Sequence, residues 1–186
     1  MTEIRNVQPD LPDYDRILAL YEQTFPENER IPWEMLMRSA ARDGIHFRAC
    51  YEDGLFVGFY DVSATDRVVF LLYLAVPDEL RGHGYGSRIL GTMKTEYSGR
   101  MITVNVEPQN EKAENREQRE ARLRFYRRNG FYETGYSLID EGDRFSILSS
   151  ELPFREDAYR EAVNQLSGGA HPFTVARDWK TEPQEG

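Results

Sequence analysis

The sequence predicts an α/β (α+β) fold, a mixed and mostly antiparallel central sheet flanked by helices with one parallel β-α-β unit. Three observations carry this reading. Residues 68–76, Val-Val-Phe-Leu-Leu-Tyr-Leu-Ala-Val, have the length and the β-branched or aromatic content of a strand buried on both faces. A glycine-rich turn follows, Arg81-Gly82-His83-Gly84-Tyr85-Gly86-Ser87. Ile89, Leu90, Met93 and Tyr97 then recur at helical spacing, Ser98-Gly99 supplies a stop, and residues 101–106 form another strand. Two strands joined by a helix make a right-handed parallel crossover. On either side lie hairpin patterns, 45–62 around Asp53-Gly54 and 131–148 around Glu141-Gly142-Asp143, whose strands are antiparallel.

The elements follow in order. Residues 3–7 alternate and read as a first strand. Pro12-Asp13 opens a helix whose face is Tyr14, Ile17, Leu18, Leu20 and Tyr21, ended by Pro26; a second helix spans 33–42 and closes near Gly44. In the first hairpin Ile45, Phe47, Ala49 and Tyr51 alternate with polar residues, and His46 is read as a packed or surface side chain rather than a ligand. In strand 101–106, Ile102, Val104 and Val106 share a face. Residues 107–119 are polar, a loop or exposed helix start, and a firmer helix runs from Ala121 to the stop at Asn129-Gly130. The core domain is expected to span 1–150. Residues 151–186 form an extension, with a helix over 154–166, a break at Ser167-Gly168-Gly169, an extended piece at 172–176 and an acidic end.

Composition narrows the function. A chain of 186 residues with 40% apolar and 12% aromatic residues is a globular domain rather than a disordered segment. Its formal net charge of −9 repels nucleic acid, so no nucleic-acid partner is expected. The lone cysteine, Cys50, excludes an internal disulfide and a cysteine-rich zinc site, and no metal is expected. The opening Met-Thr-Glu-Ile-Arg has no apolar h-region, and no stretch approaches 18 apolar residues. A soluble cytoplasmic protein without membrane attachment, a monomer or homodimer, is the expectation.

Strand, glycine turn and helix gather unpaired N–H groups and the positive end of a helix dipole, a site for an anion such as a phosphate. A turn that merely starts a helix is the alternative without function. Three devices use such a turn. A P-loop needs Gly-Lys-Ser/Thr, and Gly86-Ser87 has no lysine. A Rossmann site is nearer, since Gly82-x-Gly84-x-x-Ser87 approaches its fingerprint with Glu107 about 20 residues on, but residues 77–81 separate the glycines from the strand. The third pattern, Arg/Gln-x-x-Gly-x-Gly/Ala, is matched by Arg81, Gly84 and Gly86. With Tyr126-x-x-x-Gly130-Phe131 after the late helix, the chain resembles the GCN5-related N-acetyltransferases (GNAT). Phe25, Pro26, Glu29 and Arg30, then Asn115, Gln118, Arg119, Arg122, Phe125 and Tyr126, resemble a bacterial branch of that family.

The resemblance implies a GNAT-like fold and transfer of an acetyl group from acetyl-CoA to a primary amine, of a small molecule in the first instance. A catalytically inactive acyl-CoA-binding sensor or interaction domain of the same fold is the alternative. It implies that backbone groups of Leu74, Ala75 and Val76 hold the pantetheine arm and polarise the acetyl carbonyl. The turn, Arg81, Gly82, His83, Gly84, Tyr85, Gly86 and Ser87, binds pyrophosphate, and Tyr126 protonates the coenzyme A thiolate. The helix–helix connection becomes a wall of the acceptor site, with Glu27, Glu29 and Trp33 facing the amine. The commoner family form has Asn and Ala seven and four positions before the tyrosine, where this chain has Arg119 and Arg122, so Asn115 or Asn110 stands in for that cofactor contact. Residues 68–76 carry no carboxylate, so Glu107, at the end of the next parallel strand, is the expected base through a water, a solvated loop glutamate being the other reading.

Overall fold

The structure, a computed structural model, describes residues 2–110, 112–169 and 171–178. One sheet runs in the order β1 (Glu3–Asn6), β2 (Ile45–Glu52), β3 (Leu55–Ala64), β4 (Val68–Ala75), β5 (Met101–Val106), β7 (Asp143–Ser149), β6 (Tyr132–Asp140), β8 (Thr174–Arg177). Contacts group into two compact units, the chain up to Ala64 with Leu71–Gly99, and Thr65–Phe70 with the chain from Arg100 on.

In the first unit, strands β1 (Glu3–Asn6), β2 (Ile45–Glu52) and β3 (Leu55–Ala64) pair antiparallel in sequence. The β2–β3 turn is Asp53-Gly54 with φ of 50° and 79°, the two positive values a two-residue hairpin requires. Helices α1 (Tyr14–Thr24) and α2 (Trp33–Ala40) cover one face of these strands. Ile17, Leu20, Tyr21 and Leu36 from the helices pack there with Phe47, Phe59 and Tyr73, in one cluster of buried residues. Strand β4 (Val68–Ala75) enters this unit at Leu71 and leads, through a turn of 3-10 helix at Asp78–Leu80, to α3 (Tyr85–Glu96). Ile89, Leu90 and Met93 of α3 are buried, on the spacing read from the sequence. His46 stacks on Tyr97 and bonds its hydroxyl at 2.7 Å, a packed side chain.

Gly58 is the tight point of this unit. A register shift opposite Cys50 and Tyr51 bulges β3 there, and Gly58 has φ 149°. A Cβ at this position would lie 2.3 Å from the Ala75 carbonyl oxygen of β4 and 2.9 Å from Cδ1 of Ile89 in α3. Only a glycine lets β3, β4 and α3 close on one another.

In the second unit β4 begins beside β5 (Met101–Val106). Met101 N–H bonds Arg67 O at 3.1 Å and Thr103 Oγ1 bonds Val69 O at 3.4 Å, so the two strands advance together and are parallel. The sequence assigns one apolar face to β5, but Met101 and Thr103 are as buried as Ile102, Val104 and Val106. Next come α4 (Arg116–Arg128) and the hairpin of β6 (Tyr132–Asp140) and β7 (Asp143–Ser149), whose two-residue turn is Glu141-Gly142; β7 pairs antiparallel with β5. The later chain joins this core. Helix α5 (Glu156–Ser167) buries Ala158, Tyr159, Ala162 and Val163, with the Tyr159 hydroxyl on Asn105 at 2.9 Å, and β8 (Thr174–Arg177) pairs antiparallel with β6. The acidic end read over 179–186 lies outside the described residues.

Gly58→Ala is expected to destabilise the protein by at least about 2 kcal/mol, measured by urea unfolding, because the new methyl meets a backbone oxygen that cannot move alone.

Candidate active site

The glycine turn belongs to the first unit. Gly82 and Gly84 have φ of 79° and 81°, the left-handed region that side chains disfavour, and Gly84 is the residue that opens α3. The first helical bond runs from Arg88 N–H to Gly84 O at 3.1 Å, so the N–H groups of Tyr85, Gly86 and Ser87 have no carbonyl one turn back. They form the positive end of the helix dipole. The turn is exposed, and a Cβ at Gly82 would meet nothing within 4 Å. Its cations turn onto the chain itself. Arg81 pairs with Asp78 at 2.8 Å, and Arg88 pairs with Glu52 at 2.8 Å while bonding His83 O at 3.1 Å. His83 Nδ1 lies 2.9 Å from Arg81 O, and the Arg88 guanidinium lies 4.3 Å from the ring centroid of Tyr85. What the turn offers outward is therefore main-chain N–H, suited to a phosphate. Leu74 and Ala75 end β4, and Val76 leads through Pro77 and the 3-10 turn Asp78–Leu80 into it.

The α1–α2 connection also belongs to the first unit, and its main chain is pinned by two tyrosines. Tyr73 donates its hydroxyl to Glu29 O at 2.9 Å and accepts from Ile31 N–H at 3.1 Å, while Tyr21 donates to Ile31 O at 2.9 Å. Glu27 and Glu29 are exposed on the single 3-10 turn of this connection. Trp33 is packed instead. Its indole N–H donates to Tyr14 at 2.9 Å and its ring meets Tyr14 and Phe47 edge-on. Beneath lies a residue that the sequence reading missed. Asp61 of β3 is fully buried, and neither carboxylate oxygen has a hydrogen-bond partner. Burial pushes its carboxyl up to about 8, and the adjacent Val62 amide, which is near but not in hydrogen-bonding geometry, offsets this only in part. The signal was an aspartate within the apolar run Leu55-Phe56-Val57-Gly58-Phe59-Tyr60-Asp61-Val62, at a core-facing place.

In the second unit, Glu107 leaves the end of β5 and is clamped. Its Oε1 accepts from Asn115 Nδ2 and pairs with Arg119, both at 2.9 Å, and its Oε2 pairs with Arg122 at 3.0 Å. Asn115 is also engaged at its other end, where Oδ1 accepts from Arg119 Nε at 2.6 Å. The two arginines that stand where the resemblance expects Asn and Ala thus hold Glu107 and Asn115 in one network. Asn110 accepts from Lys112 N–H at 2.9 Å. Tyr126 lies in the last turn of α4, buried against Phe125 and Phe131. Phe131 N–H bonds Tyr126 O and Gly130 N–H bonds Arg127 O, both at 3.1 Å, with Gly130 at φ 75°. The Tyr-x-x-x-Gly-Phe motif is thus a left-handed helix stop that fixes the tyrosine ring against the phenylalanine that follows. Burial pushes the Tyr126 hydroxyl up to about 12, with Arg122 pulling the other way. It stays protonated at neutral pH and can serve as an acid.

Among the described residues no cluster of His, Cys, Asp and Glu is placed to hold a metal ion, and no helix is long and apolar enough to cross a membrane.

Because Asp61 keeps its proton when folded and loses it near pH 4 when unfolded, the stability it carries is complete below that pH and is lost as pH rises through about 8. Urea unfolding between pH 5 and 8 is expected to show wild type losing stability relative to Asp61→Asn, by up to about 1.4 kcal/mol per pH unit.

The sequence model of the acetyltransferase (GNAT) domain matches residues 43–133. No curated protein matches the sequence. Among solved structures, a GNAT-family protein from Bacteroides thetaiotaomicron superposes with a TM-score of 0.71 at 24% identity, covering 87% of this chain and 94% of that one. An aminoglycoside 6'-N-acetyltransferase complexed with coenzyme A gives 0.62 at 17% identity, over 83% and 99% of the two chains. The ribosomal-protein-S18-alanine N-acetyltransferase from Escherichia coli gives 0.58 at 17% identity, over 84% and 97%. The chain thus matches the acetyltransferase (GNAT) domain over residues 43–133 and shares the fold of these solved structures.

Proposed function

We propose that this protein is an N-acetyltransferase that moves an acetyl group from acetyl-CoA to a primary amine, of a small molecule in the first instance. The observation that carries the reading is the exposed turn, with glycines at φ 79° and 81° and three helix-end N–H groups aimed outward. The similar aminoglycoside 6'-N-acetyltransferase is complexed with coenzyme A, which supports the cofactor. That enzyme and the S18-alanine enzyme are named for different acceptors, so the acceptor class rests on this chain's own acidic connection at Glu27 and Glu29.

In this reading main-chain N–H groups of Gly82, His83, Gly84, Tyr85, Gly86 and Ser87 hold the pyrophosphate. Arg81, paired with Asp78, fixes the loop's path. Leu74, Ala75 and Val76 hold the pantetheine arm through backbone groups. Acetyl-CoA supplies an activated thioester whose sulfur leaves as a thiolate. As the C–N bond forms and the C–S bond breaks, Tyr126 gives its hydroxyl proton to that sulfur, which its buried, protonated state suits, and the proton shed by the attacking nitrogen passes to water. Glu107 is read as the post that orients Arg119 and Arg122, since both its oxygens already carry charged donors. Asn115 is part of the same clamp rather than a direct cofactor contact. The buried free thiol of Cys50 suits the reducing conditions of a cytoplasm.

Thermal unfolding with acetyl-CoA, coenzyme A and NAD tests the cofactor. Both coenzyme A forms should raise the Tm of wild type and neither that of Gly84→Glu, whose side chain fills and repels the cradle; a shift with NAD alone overturns the reading. Once an acceptor is in hand, Tyr126→Phe should lower kcat by about 10²–10⁴-fold with little change in the KM for acetyl-CoA. Glu107→Gln should leave the basic limb of the pH–rate profile where it is, and a displaced limb would restore Glu107 as the base.

A further inference from the structure

Asp61 has no task in the chemistry above, and the fold gains nothing from an unpaired acid in its core. Its register partner on β2 is Phe47, and Phe59 lies two residues before it, so all three share the face covered by α1 and α2. Tyr60, between Phe59 and Asp61, faces the other way and bonds Glu96 of α3. The layer around Asp61 is aromatic. Ring centroids of Phe47 and Phe59 lie 5.2 Å apart, Phe59 and Tyr21 6.4 Å, Tyr21 and Tyr73 5.1 Å, and Tyr73 and Phe25 4.6 Å. Tyr21 and Tyr73 are the titratable groups that feel the charge of Asp61. Their hydroxyls serve the α1–α2 connection, and neither donates to Asp61. A carboxyl group sealed from water without a donor costs several kcal/mol, so an orphan of this kind marks a partner that arrives from outside.

We infer that Asp61 anchors the amino group of the acceptor: a primary ammonium group enters beneath the 25–32 connection, places its N–H donors on the two unpartnered oxygens of Asp61, and lies against the rings of Tyr21, Tyr73 and Phe47. This rests on the acetyltransferase reading and names the group that its acceptor must present. The chemistry is specific. An ammonium supplies three donors and the charge that makes an ionised carboxylate tolerable in an apolar layer, and aromatic faces attract the same cation. A neutral alcohol supplies neither the charge nor the attraction to the rings. The cover is the connection itself, held by three hydrogen bonds through two tyrosine hydroxyls and otherwise exposed over Pro26, Glu27 and Glu29.

The test is thermal unfolding of wild type and Asp61→Asn with tyramine, spermidine, kanamycin and a peptide with a free N-terminus, each with and without coenzyme A. At least one amine should raise the wild-type Tm by about 2 °C or more and leave Asp61→Asn nearly unmoved, while the coenzyme A shift is equal in both. In wild type, 4-ethylphenol, which lacks the amino group of tyramine, should give no shift, a comparison that needs no variant. Equal amine shifts in the two proteins, an equal shift with 4-ethylphenol and tyramine, or no shift with any of the amines would overturn the inference. Loss of the coenzyme A shift in wild type would instead overturn the cofactor reading, so the two failures are told apart.

Discussion

The closest approach in this protein is between a missing side chain and a carbonyl. At Gly58 the bulged β3 lets the Ala75 oxygen of β4 and the Ile89 side chain of α3 come to where a Cβ would stand. Ala75 is the last residue of β4, and Ile89 lies in the second turn of α3, so the contact fixes both ends of the segment that carries the glycine turn. A displacement of either end would move the N–H groups of residues 85–87 away from one another's focus. Positioning by close packing of backbone is stiffer than positioning by long side chains, because neither partner has rotamers to exchange. The turn can then remain exposed and glycine-rich without losing its shape.

Legibility differed between the two kinds of feature. Motifs that are themselves backbone devices were readable, because they leave residues no other role. Asp53-Gly54 and Glu141-Gly142 are turns with both φ values positive or a glycine in the second place, and Gly130-Phe131 is a helix stop whose geometry explains the motif that contains it. Boundaries came out within a few residues for the same reason. The side-chain networks were not readable. Glu107 sits at the end of a strand where an acid can act as a base, yet its partners Arg119 and Arg122 lie more than ten positions away on α4. Spacing along a helix predicts which residues share a face, not which acid they reach. Met101 and Thr103 escaped as core residues of β5 because a strand covered on both sides loses the alternation that marks one face.

Charge is handled differently at three places. In the turn the arginines are paired with Asp78 and Glu52, so the surface left facing outward is main chain. On α4 two arginines converge on a single carboxylate that is mostly shielded from water. In the core of the first unit Asp61 has no counterion at all. The first two arrangements spend cations on geometry rather than on ligand contact. The third leaves an acid unspent, and that contrast is what separates a scaffold charge from one kept in reserve.

The hydrogen bonds from Tyr21 and Tyr73 reach the α1–α2 connection only through its main chain, at Glu29 O and at both the N–H and O of Ile31. The path of the connection is therefore indifferent to the side chains it carries. Residues such as Glu27 and Glu29 can be exchanged without rerouting the backbone, so the charge carried by this exposed turn can change while the two tyrosines and the layer below them stay put. The charge that this turn presents is thus separable from the path of its backbone.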